Sequence, residues 1–182
     1  MKTLPSRRKF LKETVFGVVA LSAARLIPLD YASAAVPSEI EGQLLFFSPM
    51  EFLIVQMAAR RIVGDSLEGN PGPDEVGVAL KADRLLAASD VETQDQFHEL
   101  LTIFNGALFA FIFDFRFTSF VNMSAESQDS YLESWMTSIF SFRRSAFQAL
   151  KRITLGLFYT DSRSWKEIGY DGMFLPWERT KQ

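Results

Sequence analysis

Between Phe97 and Phe115 the large apolar residues fall at Phe97, Leu101, Phe104, Leu108, Phe111 and Phe115, in steps of four and three. That spacing is a helix seam, because residues three and four apart share one helical face. A competing alternation, Phe109, Phe111, Phe113, Phe115 and Phe117, has the period of a strand. The helical pattern starts earlier and runs longer, and a lone strand would lack a partner for its backbone. The spacing therefore predicts a helix over residues 93–121. A second stripe, Phe109, Phe113, Phe117 and Phe120, makes this helix apolar around much of its circumference, as in a central helix or one that docks on a partner.

The flanking segments read the same way. Ser48-Pro49-Met50-Glu51 is a capping box, with a hydroxyl N-cap, proline at the first helical position and glutamate three residues after the cap. Leu53, Ile54, Met57, Ala58 and Ile62 continue at helical spacing to Gly64. A Gly/Pro/acid loop follows, and Asp74-Glu75 opens a second helix with Val76, Ala79, Leu80, Leu86 and Ala87 inward. Ser124 is an N-cap with Glu126 in the first turn, and Leu132, Trp135, Met136 and Ile139 are expected to face the core. A last helix runs from about residue 142 to 159, with Phe147, Leu150, Ile153, Thr154 and Leu157 inside and Arg144, Gln148, Lys151 and Arg152 outside. The tail 161–182 has no periodicity. The expected fold is a single compact all-α domain of about five helices.

Composition narrows the chemistry. The chain has no Cys and one His, which excludes disulfides, thiolate metal sites and histidine-cluster metal sites. No dinucleotide, phosphate-loop, zinc-protease, EF-hand or nucleophile-elbow motif occurs. His98, next to the seam residue Phe97, reads as a solvent-facing helix histidine. Glu126, Asp129 and Glu133, three or four residues apart in the first turns of a helix, read as acids serving the dipole and solubility rather than as catalytic paired carboxylates. Arg143-Arg144 and Lys151-Arg152 read as a solvated or internally paired cationic stripe. No catalytic, cofactor-binding or metal-binding residue is identified, and the chain is not expected to be an enzyme by itself.

The first thirty-four residues read as an address. Lys2, Arg7, Arg8, Lys9 and Lys12 precede an apolar run of ten, Val15–Ala24, and Ala32-Ser33-Ala34 supplies the small-x-small pattern of a cleavage site. A spanning helix needs about 20 apolar residues, so the run fits a cleaved signal. Ser6-Arg7-Arg8-Lys9-Phe10-Leu11-Lys12 resembles the twin-arginine export consensus in residue type and position. Export residues are thus Arg7, Arg8, Phe10 and Leu11, and cleavage involves Ala32 and Ala34. The expected organisation is a twin-arginine signal over 1–34 and a helical domain over 35–182, located in the periplasm. Removing six basic and two acidic residues leaves 13 against 20, a formal −7. Such a domain has no electrostatic reason to bind nucleic acid or an anionic membrane.

Several segments together resemble gluconate 2-dehydrogenase subunit 3 proteins. They are Ser48-Pro49 opening a helix that ends Arg60-Arg61-Ile62-Val63, the loop after it, and Val76–Ala88. Met123-Ser124-Ala125-Glu126 with Tyr131–Trp135, then Leu157–Arg163 and Trp165–Tyr170, complete the set. The Gly/Asn-rich insertion usual before that Trp is reduced here to Ser164 alone. The resemblance implies a non-catalytic small subunit that accompanies a large FAD-dependent dehydrogenase of the glucose–methanol–choline type. It also implies a possible cytochrome subunit, and co-export of the folded complex through the twin-arginine translocase. FAD is then expected in the partner and no cofactor in this chain. The alternative is a stand-alone envelope binding or scaffold protein. Tyr159, Trp165, Tyr170 and Trp177, with Phe109, Phe113 and Phe117, form the candidate partner interface; the other role for the tail is to fold back and cap the helices.

Overall fold

The computed structural model describes residues 36–64, 71–106, 118–165 and 168–170. The chain separates into two units, Met1–Ser33 and Ala34–Gln182, and all described residues belong to the second. Among the described residues there is no strand. The elements are α1 Ser38–Glu41, α2 Pro49–Val63, α3 Pro73–Val76, α4 Val78–Ala87, α5 Val91–Asn105, α6 Ala125–Met136 and α7 Ser141–Phe158, with 3-10 turns at Phe120–Asn122 and Ser162–Trp165. α1 and α3 are single turns, which leaves five substantial helices and the all-α architecture expected.

α2 is the hub. Its capping box forms as read: the Ser48 hydroxyl oxygen accepts the Glu51 N–H at 3.3 Å, and Glu51 accepts the Ser48 N–H at 2.9 Å. Phe52, Leu53, Ile54, Val55, Ala58 and Ala59 are all buried, so most of its circumference is covered. α7 and α4 lie against it, with α3, α5 and α6 completing the shell. The expected second helix is broken in two. Gly77 stands at φ 72°, a left-handed conformation that glycine adopts without the Cβ clash of other residues, and it turns the chain from α3 into α4.

The helix expected over 93–121 is corrected at its far end. α5 starts with Asp90 as N-cap, accepting the Thr93 N–H at 2.9 Å, and ends at Asn105. The Phe104 and Phe120 rings are 4.7 Å apart. One unbroken helix would hold those residues about 24 Å apart, so α5 does not continue to Phe120. Asn105 Oδ1 accepts the Val121 N–H at 3.2 Å, and Gln128 donates to the Phe120 carbonyl at 3.0 Å. A side chain used this way fixes the return of the chain against α5 and α6. Phe104, Phe120, Tyr131 and Trp135 stack edge-on and tilted at 4.7–5.8 Å between centroids, and the Tyr131 hydroxyl donates to the Phe104 carbonyl at 2.9 Å. Residues 107–117, with Phe109, Phe113 and Phe117, lie outside the described residues.

Two further readings change. Leu132 and Trp135 are buried, but Met136 and Ile139 are exposed, because α6 ends at Met136 and Ile139 sits in the turn beyond it. Arg143 is not part of an outer stripe. It turns inward, donates to the Ser134 hydroxyl at 2.8 Å and places its guanidinium 5.0 Å from the Trp135 ring centre. The rest of α7 follows its period, with Phe147, Leu150 and Thr154 buried and Ile153 and Leu157 partly so.

Before α2, the segment from Val36 to Phe47 lies along the core. Asp83, a fully buried residue of α4, accepts the N–H groups of Leu45 at 2.8 Å, Phe46 at 2.9 Å and Phe47 at 2.7 Å. One carboxylate thus satisfies three consecutive backbone donors that no helix or strand supplies with partners.

Candidate functional site

The C-terminal end of α7 carries the described part of the predicted interface. Phe158 is buried with Ala59, Val76 and Val78 in a small second core. The next residue, Tyr159, points outward at 38% exposure. The 3-10 turn Ser162–Trp165 then brings the chain back, pinned by the buried Ser164 hydroxyl donating to the carbonyls of Asp161 at 2.7 Å and Phe158 at 3.2 Å. Trp165 Nε1 donates to the Tyr159 carbonyl at 2.8 Å. Gly169, at φ 65°, permits the turn that sets the Tyr170 ring edge-on to Trp165 at 5.1 Å between centroids. Trp165 therefore meets Tyr170 ring to ring and is tied to Tyr159 through the Tyr159 backbone carbonyl, which brings the three residues together. Trp165 is half-buried, whereas Tyr170 is 46% exposed and Ile168, which the sequence reading passed over, is 55% exposed. Trp177 lies outside the described residues, as do the export and cleavage residues Arg7, Arg8, Phe10, Leu11, Ala32 and Ala34.

Exposed hydrogen bonds tie the turn beneath the cluster to α3 and α4. Asp161 accepts the Arg163 backbone N–H at 3.0 Å and its side-chain Nε and Nη2 at 2.9 and 2.7 Å. Arg163 also donates to the Glu75 carbonyl of α3 at 3.2 Å, and Lys81 of α4 donates to the Thr160 hydroxyl at 3.2 Å.

Residues 49–172, more than half of the chain, match the family model described as gluconate 2-dehydrogenase subunit 3. The chain belongs to the gluconate 2-dehydrogenase subunit 3 family. No curated protein and no solved structure matches it. The family name denotes a subunit of a dehydrogenase complex. In this subunit 3 chain the matched region begins at Pro49, the first residue of α2, and extends past the Tyr159/Trp165/Tyr170 cluster.

Four acids and the lone imidazole of the subunit 3 domain are engaged in structural pairs among the described residues. His98 is not simply solvent-facing: its Nδ1 lies 2.5 Å from Glu51, and its ring is 4.2 Å from that of Phe46. That links α5 to the α2 capping box. Arg61 approaches Asp129 at 3.6 Å, and Arg60 pairs with Asp74 at 2.7 Å. Among the described residues no three His, Asp or Glu side chains lie where they would share a metal ion, and no helix is long and apolar enough to cross a membrane.

Among the described residues three carboxyls are held below their ordinary range. The Arg163 guanidinium and backbone do this to Asp161, the Thr93 N–H and hydroxyl to Asp90, and the Glu126 N–H and Ser124 hydroxyl to Glu126. A carboxyl depressed on folding stabilises the folded state above its unfolded value and loses that contribution as pH falls through its folded value. The melting temperature should therefore hold from neutrality down to about pH 4–5 and decline below it. Asp161→Asn should flatten part of that decline. Thermal unfolding followed by circular dichroism across this range measures both, and a parallel decline in the variant would remove Asp161 from the account.

Proposed function

We propose that this protein is the non-catalytic small subunit of an exported dehydrogenase complex, and that Tyr159, Trp165 and Tyr170 dock the large subunit. The observation that carries the reading is the solvent-facing aromatic cluster built on a braced turn inside the family-matched region. Aromatics are over-represented at the centres of protein interfaces, where their large area is desolvated on binding. The bracing by Asp161, Arg163 and Lys81 lowers the ordering cost of presenting them. The partner on this reading is a large FAD-dependent flavoprotein of the glucose–methanol–choline type, in some complexes with a cytochrome subunit. The chemistry resides in the partner's FAD, and this chain stabilises that partner and carries it across the membrane as folded cargo. Trp177, Phe109, Phe113 and Phe117 extend the proposed surface on sequence grounds.

Capture from the native host tests the docking. A Trp165→Ala, Tyr170→Ala double variant should recover at least about thirtyfold less flavoprotein than wild type, the loss of one interface hot spot worth about 2 kcal/mol. Undiminished recovery would move the interface elsewhere; absence of any flavoprotein with wild type would overturn the subunit reading.

The export half rests on Arg7-Arg8 ahead of Phe10-Leu11. Replacing both arginines with lysine should leave full-length precursor in the cytoplasm and little processed chain in the periplasm, read by fractionation and immunoblot. Normal periplasmic appearance would refute the twin-arginine route.

A further inference from the structure

Charge is sorted by helix in this domain. α5 and α6 carry acids and no Lys or Arg, whereas α7 carries Arg143, Arg144, Lys151 and Arg152 and no acid. The one acid of α4, Asp83, is buried on backbone N–H groups. Lys151 and Arg152 are exposed, and among the described residues neither makes an ion pair. Arg152 precedes Tyr159 by about two helical turns, so the two residues share one face of α7, and Lys151 stands about a quarter-turn away. The exposed Gln148 and the half-buried Leu155 belong to the same face. The acids at the foot of α7 already have cations. Asp161 is bonded by Arg163 and lies in the field of Lys81, which donates to the Thr160 hydroxyl, and Glu75 lies in the field of Arg163. Lys151 and Arg152 have no such counterpart.

Resting on the docking reading above, we propose that the large subunit which covers Tyr159, Trp165 and Tyr170 also covers the outer face of the C-terminal half of α7, and meets Lys151 and Arg152 with its own carboxylates. A stable protein interface takes about 800 Å² and some 20–30 residues from each side, a disc of about 16 Å radius. Three aromatic residues supply only part of that area. α7 continues the surface from Tyr159, and Arg152 and Lys151 lie about 10–12 Å from it along the axis, inside such a disc; Arg144, at about 22 Å, lies outside. A cation covered by a partner loses its water, and that loss is costly unless an anion replaces it. This chain places no acid beside Lys151 or Arg152, so the anion comes from the surface that covers them. The family name denotes a subunit of a dehydrogenase complex, which gives the chain a protein partner to bring that group. Carboxylates facing these two cations would also steer the encounter, so the charges set association rate and partner choice while the aromatics hold the complex together.

The full tagged chain, expressed in the native host, is captured and the flavoprotein recovered with it is measured. Lys151→Glu with Arg152→Glu should lower recovery at least about tenfold, because two attractions become repulsions. Its melting should match wild type, since both side chains are exposed. Wild-type recovery should fall as sodium chloride rises, and Lys151→Gln with Arg152→Gln should lose most of that dependence. Glu99→Lys, at an exposed position of α5, should leave recovery unchanged. A second measurement needs no variant: in the wild-type complex a zero-length carbodiimide should join the Lys151 amine to an Asp or Glu of the flavoprotein. Undiminished recovery with the charge-reversed chain, alongside loss with the Trp165→Ala, Tyr170→Ala variant, would overturn this inference and leave the docking reading standing. Absence of flavoprotein from the wild-type capture would overturn both. A complex in which Lys151 joins no flavoprotein carboxylate would overturn the inference, and a link from Lys151 to a second copy of this chain would do so by assigning the face to self-association.

Discussion

Replacing Phe104 with alanine is expected to destabilise the domain by about 3–5 kcal/mol. The ring is fully buried and meets Phe120, Tyr131 and Trp135 at 4.7, 5.4 and 5.0 Å between centroids. Those neighbours belong to a 3-10 turn and to α6, so no single element relaxes to fill the space, and the cavity term adds to the lost burial. Domains of this kind hold only about 5–15 kcal/mol in total. The variant should therefore approach the edge of folding at 37 °C. Urea denaturation followed by near-ultraviolet circular dichroism measures the change. Val91→Ala, at a position 70% exposed on the first turn of α5, should stay within about 0.5 kcal/mol. A Phe104→Ala cost below about 1.5 kcal/mol would mean that the aromatic cluster repacks.

What the sequence disclosed, and where it failed, divides along one physical line. Local signals were legible: the Ser48/Glu51 capping box, the Ser124 cap and the period of α7 are written within a few residues and appear in the structure. Signals of spacing alone overran the helices. Ile139 stands three residues after Met136, as a helical position would, yet Thr137 already ends α6 and no glycine or proline announces it. The Phe seam was carried past Asn105 although Gly106 stands at the C-cap of α5, since apolar spacing does not record that the Asn105 side chain will bond the Val121 N–H. Long-range partnerships were not legible at all. The inward turn of Arg143 depends on another helix, where it meets the Ser134 hydroxyl and the Trp135 ring, and the bond from His98 reaches Glu51 of α2. The candidate site was legible as composition, an aromatic tail without a helix face. Its geometry was not, because the Trp165–Tyr159 and Trp165–Tyr170 contacts depend on a 3-10 turn and a left-handed Gly169. Asp83 did leave a trace: it is the one acid between the inward residues Ala82 and Leu86.

Asp83→Ala should be the most damaging polar substitution, at about 3–5 kcal/mol. Removing a buried acceptor leaves its donors to bear the desolvation cost, about 1–3 kcal/mol for each buried group. Three donors depend on this carboxylate: the Phe47 N–H in a buried bond and the Leu45 and Phe46 N–H groups in part-buried ones, where water recovers some of the loss. Asp83→Asn should not rescue it. Oδ1 serves Phe46 and Phe47 while Oδ2 serves Leu45, so an amide in either orientation points N–H at N–H. For a domain of this size the alanine variant should melt roughly 10 °C lower. The damage should also be localised. With the clamp gone, the segment from Val36 to Phe47 loses its bonds to α4 while α2 keeps its own cap at Ser48. Hydrogen exchange should then accelerate first at Leu45, Phe46 and Phe47, ahead of α2 and α7. Uniform acceleration across all helices would show that Asp83 supports the whole core. An unchanged melting temperature would show that solvent replaces the carboxylate at no cost.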